Sequence, residues 1–279
     1  MRIDLHTHSN VSDGTLRPAE VIAEAARAGL DVVALTDHDG LGGWDEAART
    51  ASTLPLRFVP GVELSCRWYG DTPSVPLHLL AYYVDPDHAG LAAEMARVRA
   101  SRDRRGERIV ELINADGVGI TWAEVLEIAD GGTVGRPHIA RALVRHGVVD
   151  TVSDAFVPSM LGHRWRVPKE DSDVFLALRL VLDAGGVPVF AHPRATRRGA
   201  VVPDSLIVEM AGLGLFGLEA DHEDHTPEQR QQVRALAADL GLVVTGSSDF
   251  HGSNKTVRLG AHVTAPEVFE AIAAAARPR

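Results

Sequence analysis

The chain has 279 residues, of which 45% are hydrophobic and 24% are charged, and its formal net charge is -10. This length and composition are typical of a globular protein with the size of one α/β barrel. Cys66 is the only cysteine, which excludes an internal disulfide and a thiolate-rich zinc site and favours a reducing compartment. Met1 to Asp4 lead straight into a strand pattern, and no apolar run reaches membrane-spanning length. These features predict a cytoplasmic protein without membrane partners.

Short apolar runs alternate with helical patterns along most of the chain. Residues 3–5 form the first run, and Thr15 is predicted to cap a helix that has Pro18 in its first turn and ends at Gly29. Repeated β–α units favour a parallel sheet with helices on its outside. Further strands are predicted at 31–36, 57–64, 77–84, 187–191, 215–220 and 242–246, and further helices at 43–51, 172–184, 204–213, 227–240 and 266–276.

Residues 91–170 interrupt this alternation. They contain a long arginine-rich helical pattern at 91–114 and shorter ones at 121–128, 137–146 and 151–160. We predict an inserted helical domain, 91–170, between barrel segments 1–90 and 171–279; an elaborated barrel helix is the alternative. Residues 91–172, which include Lys169, hold twelve basic and twelve acidic residues, so the negative excess lies elsewhere. A short anionic substrate would therefore be drawn to this part, although the long-helix arginines are interpreted as solvated surface.

Histidines and carboxylates lie at or just beyond the ends of most predicted strands, and one histidine lies inside a strand. In α/β barrels the loops at this end converge on the active site. Strand alternation also places the first two histidines of the set on the same side, where one ion can contact both. Imidazole and carboxylate groups bind divalent metals. The candidate ligands are His6, His8, Asp13, His38, Glu63, His78, His192, Asp249 and His251.

Each candidate ligand also has a purely structural interpretation. His78 resembles a hydrogen-bonded core histidine, His192 precedes a proline and suits a turn, and Glu63 suits a solvated strand end. These interpretations weaken together, because nine ionisable residues would have to gather at one barrel face by accident. Burying so many of them without cations would be costly. The pattern therefore favours a metal centre.

Five sequence segments carry a family resemblance: His6-Thr7-His8-Ser9 with Ser12-Asp13-Gly14, Leu35-Thr36-Asp37-His38, Gly61-Val62-Glu63, Ala191-His192-Pro193 and Gly246-Ser247-Ser248-Asp249-Phe250-His251-Gly252. In order and spacing the chain resembles the polymerase and histidinol phosphatase (PHP) family of metal-dependent phosphoesterases. The resemblance implies an α/β fold, a distorted TIM-like (β/α)7 barrel, with a small inserted helical domain. It also implies that one ion binds His6, His8, Glu63 and Asp249, a second binds Glu63, His78 and His192, and a third binds Asp13, His38 and His251.

The resemblance therefore implies two or three divalent ions, with manganese expected and iron or zinc as alternatives. Neighbouring cations lower the pKa of a bridging water and yield a hydroxide nucleophile. No protein nucleophile is then required. Asp37 or Asp39 is expected to orient His38 from behind, because ligating histidines usually need such a partner.

The segment Gly135-Arg136-Pro137-His138 is the main candidate for substrate binding. Pro137 suits a helix start, and a helix start with Arg136 and His138 beside it suits a phosphate group. A plain helix start with a surface arginine is the alternative. The family branch with an inserted helical domain and this segment implies nucleotide substrates, either nucleoside 3′,5′-bisphosphates or short 5′-phosphorylated oligonucleotides. The net negative charge argues against long duplex nucleic acid.

Three further residues are candidates for contact with the substrate. His222 and His225 follow a predicted strand and could bind phosphate or act as the general acid. Thr226 could instead cap the next helix. Lys255, shortly after His251, is a further phosphate-binding candidate. The competing functions are a histidinol-phosphate-type monoesterase and a non-catalytic binding module that metals stabilise.

Overall fold

The computed structural model describes residues 1–70, 73–168 and 170–277. Lys169 and the last residues of the predicted barrel segment, 278–279, lie outside the described residues. The strands are β1 (Ile3–Asp4), β2 (Val32–Leu35), β3 (Arg57–Trp68), β4 (Val75–Tyr82), β5 (Ser172–Asp173), β6 (Val187–Ala191), β7 (Gly217–Asp221) and β8 (Val243–Gly246). The helices are α1 (Pro18–Arg27), α2 (Trp44–Ala51), α3 (Ala89–Ala115), α4 (Trp122–Ala129), α5 (Arg136–Arg145), α6 (Val174–Asp183), α7 (Asp204–Gly212), α8 (Pro227–Leu240) and α9 (Pro266–Ala275).

The strands form one mixed sheet in the order β1-β2-β3-β4-β6-β7-β8, with β5 paired beside β3. All pairings on this path are parallel except those of β4, which runs antiparallel to β3 and to β6. The expectation of a wholly parallel sheet is therefore wrong at β4. The connection between β3 and β4 is too short for a parallel arrangement. Only residues 69–74 separate the two strands, which suits a hairpin, whereas a parallel crossover needs a dozen or more residues.

The sheet closes into a barrel through side chains and single backbone contacts rather than a full ladder. Thr7 forms a parallel bridge with Phe250, each just beyond its strand. The buried carboxylate of Asp4 accepts hydrogen bonds from the backbone N–H groups of Ser248, at 3.0 Å, and Gly260, at 2.8 Å. The two ends of the chain's barrel are thus tied together at β1 and β8, and the predicted barrel class is confirmed.

The barrel interior is filled by a closed layer of apolar side chains. Residues from the strands, including Ile3, Val59, Leu80 and Val189, share one buried cluster with Leu5, which follows β1. The hydroxyl of buried Tyr82 donates a hydrogen bond across the barrel to the carbonyl of Leu5, at 3.0 Å. This packed floor leaves the polar residues at one end of the barrel, where the strands that run in the common direction finish.

The start of α1 differs from the sequence-based expectation. Pro18 is the first helical residue, as predicted, and Gly29 follows the helix with a left-handed φ of 73°. The residue at the N-cap is Arg17, however, and not Thr15. The hydroxyl of Thr15 instead accepts a hydrogen bond from the backbone N–H of Ser253, at 2.9 Å. Thr15 therefore links two loops of the polar end.

Residues 109–167 form a hydrophobic cluster of their own. The first part of α3 packs on the barrel cluster through Leu91 and Met95, and its second part packs with α4 and α5 through Ile109 and Ile113. The helix predicted at 151–160 is wrong, because only a 3-10 turn at Ser153–Phe156 forms and Val157 is extended before a proline. The division of the chain into a barrel and an inserted domain stays a prediction.

The interpretation of the long-helix arginines as solvated surface is wrong for one face of α3. Arg102 is buried, with Nε 2.8 Å from Asp39 Oδ2 and Nη2 2.5 Å from the hydroxyl of Ser65. Arg99 donates to the carbonyl of Asp39 at 2.5 Å, whereas Arg104 on the other face is exposed. Arg102 can be buried because the carboxylate of Asp39, which follows β2, pairs with it.

Within the described residues no helix is both long and apolar enough to cross a membrane.

Candidate metal centre

Left-handed backbone turns aim several side chains at the polar end of the barrel. Asp39, His192 and Asp249 have φ values of 53°, 34° and 52°, in a region that non-glycine residues seldom adopt. Each of the three follows a strand of the barrel by one to four residues. Such strained positions cluster at functional sites, because the surrounding structure must hold them.

The ligand candidates on β3 and β4 reach the same point by different routes. Glu63 was predicted to end β3, but it lies inside that strand. It follows the residues of β3 that pair with β2 and is one of those that pair with β4. Because β4 runs the opposite way, its first half reaches the polar end. The register places His78 level with Ser65 and Ala191, and so next to His192.

The carboxylate of Glu63 lies at the middle of the cluster, with its two oxygens facing different histidines. Oε2 faces three histidines, and Oε1 faces two others. This arrangement suits a carboxylate that bridges two cations. The distances are, from Oε2, 3.2 Å to His6 Nε2, 3.1 Å to His8 Nε2 and 3.2 Å to His38 Nδ1, and, from Oε1, 2.7 Å to His78 Nδ1 and 3.2 Å to His192 Nε2.

Two aspartates complete the cluster. Asp249 Oδ1 lies 3.4 Å from His6 Nε2 and 3.3 Å from His8 Nε2. Asp13 Oδ1 lies 3.2 Å from His251 Nε2. All nine predicted ligands thus meet at one end of the barrel, and three overlapping groups of them have donor atoms within 4.8 Å of one another: His8, Asp13, His38 and His251; His6, His8 and Glu63; and His38, Glu63 and His78.

Glu219 holds two of these histidines in place. Its Oε1 lies 3.0 Å from His6 Nδ1, and its Oε2 accepts the backbone N–H of His192 at 2.9 Å. A proton on His6 Nδ1 leaves Nε2 free to face Glu63 and Asp249. Glu219 is fully buried, and no individual role was predicted for it, although a glutamate within the apolar run 215–220 is a signal that a partner pairs with it.

Two more histidines have Nδ1 engaged and Nε2 directed at the cluster. His8 Nδ1 lies 3.3 Å from the hydroxyl of Ser12, which itself donates to Asp37 at 2.6 Å. His251 Nδ1 donates to the backbone carbonyl of Asp249 at 2.8 Å. Partners of this kind fix the tautomer and the ring orientation of metal-ligating histidines.

The expectation that Asp37 or Asp39 orients His38 is wrong. Asp37 accepts hydrogen bonds from Ser9 and Ser12 instead. Asp39 accepts from Ser65 and Arg102, as described above. The two aspartates therefore brace the loops around His38 rather than the imidazole itself.

The donor set fits divalent cations. Asp13 Oδ1, His38 Nδ1 and Asp249 Oδ1 are buried and form no hydrogen bond within the described part of the chain. Buried polar atoms are almost always paired, since an unpaired one costs desolvation free energy. Oxygen and imidazole nitrogen atoms without hydrogen-bond partners, directed at a common point, are suitable metal ligands.

Electrostatics keep the carboxylates ionised in spite of their burial. Burial alone would raise the pKa of Glu63, but the neighbouring His78, His6 and His38 hold it well below its ordinary value. Burial would lower the pKa of His8, but Asp249 and Glu63 raise it to about 9. Without a cation, a proton on His8 compensates part of the carboxylate charge.

The second oxygen of Asp249 faces cationic groups rather than the cluster. Arg198 Nη2 and Lys255 Nζ each lie 2.6 Å from Asp249 Oδ2, and His222 Nε2 lies 3.1 Å from it. His222 Nδ1 accepts the backbone N–H of Asp224 at 3.0 Å, which leaves the proton on Nε2. Lys255 and His222 were predicted to lie near the site. Arg198 was missed, because nothing near it in the sequence marks it.

The structure does not support His225 as the general acid or as a phosphate ligand. Its Nδ1 donates to the carbonyl of Ala220 at 2.8 Å, and its Nε2 accepts the backbone N–H of Arg194 at 3.1 Å. Both ring nitrogens are therefore engaged with backbone. Thr226 caps α8, which was the alternative interpretation of this segment.

The start of α5 lies against the cluster. A Cβ atom built on Gly135 would lie 3.6 Å from Asp13 Oδ2, at ordinary van der Waals distance, so this residue is a direct neighbour of the cluster. His138 is buried and its Nδ1 accepts the N–H of Gly135 at 2.9 Å, which leaves Nε2 free. Arg136 packs over the ring of Phe156, with 5.4 Å to the ring centroid, and has no ion-pair partner among the described residues.

Comparison with known proteins decides the family. The PHP domain model matches residues 4–112. A 5′-3′ exoribonuclease from Haemophilus influenzae is 32% identical over 93% of this chain and 93% of its own length. A 3′,5′-nucleoside bisphosphate phosphatase from Chromobacterium violaceum is 32% identical over 89% of this chain and 87% of its own.

The chain belongs to the PHP family. A crystal structure of a Bifidobacterium adolescentis protein assigned as a metal-dependent phosphoesterase is 36% identical, covers 99% of this chain and 96% of its own, and superposes with a TM-score of 0.93. The predicted PHP barrel and the predicted hydrolase class, acting on phosphate esters, are confirmed by these likenesses. A metal-dependent PHP enzyme also agrees with the grouped donor atoms, which do not themselves identify the metal.

Proposed function

We propose that this PHP enzyme removes phosphate from small nucleotides, with nucleoside 3′,5′-bisphosphates as the first candidates, or trims short 5′-phosphorylated oligonucleotides from the 5′ end. The observation that carries the proposal is the arrangement of nine candidate ligands around the bridging carboxylate of Glu63. The substrate class is supported by two relatives that align along most of the chain.

We assign the ligands to three cation positions that share Glu63 or its neighbours. Manganese is the expected ion, with iron and zinc as alternatives, because all three accept imidazole and carboxylate ligands. When bound, such ions lower the pKa of a coordinated water and neutralise phosphoryl oxygens. The proposed sets are His6, His8, Glu63 and Asp249; Glu63, His78 and His192; and Asp13, His38 and His251.

Residues of the helical part bind the substrate phosphate in this proposal. The start of α5 adjoins Asp13 through Gly135, and Arg136 and His138 follow within the same turn. The Arg136 side chain packs over Phe156, and its Nη1 donates to the carbonyl of Leu161 at 3.3 Å. Burial, with Arg166 and Arg102 nearby, lowers the pKa of Arg136, which reflects the cost of burying a guanidinium without a carboxylate partner among the described residues. An anion in this position would remove that cost. We therefore assign Arg136 and the free Nε2 of His138 to a phosphate group.

His222 is our candidate for the general acid. It is buried, and its tautomer places the proton on Nε2 at the edge of the cluster. Lys255, beside it on Asp249, is assigned to a phosphoryl oxygen. No protein nucleophile is included, because the described residues place only histidines and carboxylates at the middle of the cluster.

The test is hydrolysis by purified, manganese-loaded protein. Adenosine 3′,5′-bisphosphate should release inorganic phosphate, or a 5′-phosphorylated short RNA should release mononucleotides, and His8→Ala should abolish both with the loss of metal. The proposal would be contradicted if neither substrate released its product. Activity restricted to histidinol phosphate would favour a monoesterase of that type. A metal-free His8→Ala protein that kept full cellular function would favour a binding module.

A further inference from the structure

Arg198 contacts one residue from each of two proposed ligand sets, Asp249 and His192. It belongs to a 3-10 turn, Thr196–Arg198, in the loop after β6. Its Nη2 lies 2.6 Å from Asp249 Oδ2, its Nε donates to Asp224 at 2.7 Å, and its Nη1 lies 3.0 Å from His192 Nε2. About 33% of its side chain is exposed. One planar guanidinium thus joins residues from three loops of the barrel end.

The contact with His192 conflicts with metal ligation. An imidazole nitrogen without a proton has one lone pair, and His192 Nε2 also lies 3.2 Å from Glu63 Oε1. That lone pair can accept the Arg198 N–H or ligate a cation, but not both. The bonds to Asp224 and to Asp249 Oδ2 carry no such conflict, since Asp249 directs its other oxygen, Oδ1, at the cluster.

We propose that Arg198 competes with the cation for His192 and, once displaced, becomes a ligand of the substrate phosphate. The bonds to Asp224 and Asp249 keep the side chain beside the cluster, and a tilt of the guanidinium takes Nη1 away from His192. The freed N–H group then faces the space above the cluster, where it can donate to a phosphoryl oxygen. Arg198 would in this way couple cation binding to phosphate binding. The phosphate role rests on the proposed function, whereas the competition for His192 does not.

Lys255 provides a matched control. Its ammonium group lies as close to Asp249 Oδ2 as Arg198 does, at 2.6 Å, but no contact with His192 links it to the second ligand set. Removal of either positive charge should favour cation binding through simple electrostatics. Only Arg198 removal should add the gain from ending a competing hydrogen bond. Arg197 is an exposed arginine of the same turn, and its substitution is a control that should leave cation binding unchanged.

The first measurement is Mn²⁺ binding to metal-free protein by calorimetry, which requires no activity. Arg198→Ala should bind Mn²⁺ more tightly than Lys255→Ala by about fivefold, the value of one ordinary hydrogen bond. Arg197→Ala should match the original protein. Equal affinities for Arg198→Ala and Lys255→Ala would overturn the competition. Thermal unfolding of each variant checks that the fold is retained, and Arg198→Lys, which keeps the charge but lacks the planar fork, provides a second variant.

The second measurement is binding of inorganic phosphate to manganese-loaded protein. Arg198→Ala should weaken it by about tenfold or more, as expected for a lost charge-assisted hydrogen bond, and Arg198→Lys should restore only part. Unchanged phosphate affinity would overturn the phosphate role. If no nucleotide is hydrolysed by the original protein, the proposed function fails, but the Mn²⁺ comparison still decides the competition.

Discussion

Glu219 Oε1 lies 3.0 Å from His6 Nδ1 beneath the candidate metal centre, and both side chains are fully buried. The other carboxylate oxygen of Glu219 accepts the backbone N–H of His192. One carboxylate therefore orients residues of two proposed cation positions. Partners of metal-ligating histidines commonly contribute strongly to metal affinity.

Glu219→Gln should weaken Mn²⁺ binding by about 10- to 100-fold. The glutamine amide has one acceptor oxygen, so it can satisfy His6 or the N–H of His192 but not both, and it loses the charge that makes His6 a stronger ligand. The measurement is calorimetric titration of metal-free protein. Glu223→Gln, an exposed glutamate nearby, is the control and should bind like the original protein. Equal affinity for both variants would show that Glu219 is not needed.

Arg136→Ala should raise KM for the phosphorylated substrate by roughly 10- to 150-fold, which corresponds to about 1.5–3 kcal/mol for a lost charge-assisted hydrogen bond. The reason is that the guanidinium, which has no carboxylate partner among the described residues and donates only to the carbonyl of Leu161, is proposed to hold a phosphate. Steady-state kinetics measures the change. Arg145→Ala, exposed at the other end of α5, is the control. Unchanged KM and kcat for every phosphorylated substrate would rule out the role.

Mn²⁺ binding should release protons and strengthen as the pH rises towards 9. The pKa of His8 in the metal-free protein is raised to about 9, so below that pH Nε2 holds a proton. Ligation requires the neutral imidazole, and the proton must leave. Calorimetry at pH 7.5 in two buffers of different ionisation enthalpy reports the number of protons released. Identical binding enthalpies in the two buffers would contradict the prediction.

Arg102→Met should lower the free energy of unfolding by roughly 3–5 kcal/mol, because it leaves the buried carboxylate of Asp39 without its cation. Urea denaturation of the metal-free protein measures this loss. Arg104→Met, at an exposed position on the same helix, should change stability by less than about 0.5 kcal/mol. Similar stabilities for the two variants would show that the pairing with Asp39 contributes little.

The sequence predicted the barrel and the meeting of the candidate ligands at one of its ends because both depend on local patterns. Strand ends are marked by apolar runs, and side chains that follow them meet at one end of a barrel. The pattern could not show that β4 runs antiparallel, although the few residues between β3 and β4 indicate it in retrospect. His78 thus reached the centre from the first half of its strand, not the last.

The supporting residues were harder to predict, because each acts through a partner far away in the chain. Glu219 is 213 positions from His6, and Arg198 is 51 positions from Asp249. Arg102 was misinterpreted because its burial depends on Asp39, which another loop supplies. The structure does not support the role predicted for His225, because nearby backbone groups, which no sequence pattern identifies, hydrogen-bond to both of its ring nitrogens.

Asp4 joins β1 to residues beyond β8, and that closure has a consequence for how the enzyme matures. His6 and His8 are translated before Asp249 and His251, and most of the barrel lies between the two pairs in the chain. The cluster cannot exist until the barrel has folded around both groups. A cation can therefore be held by the full candidate set only after the barrel has closed, and the ions available at that point influence which element is bound.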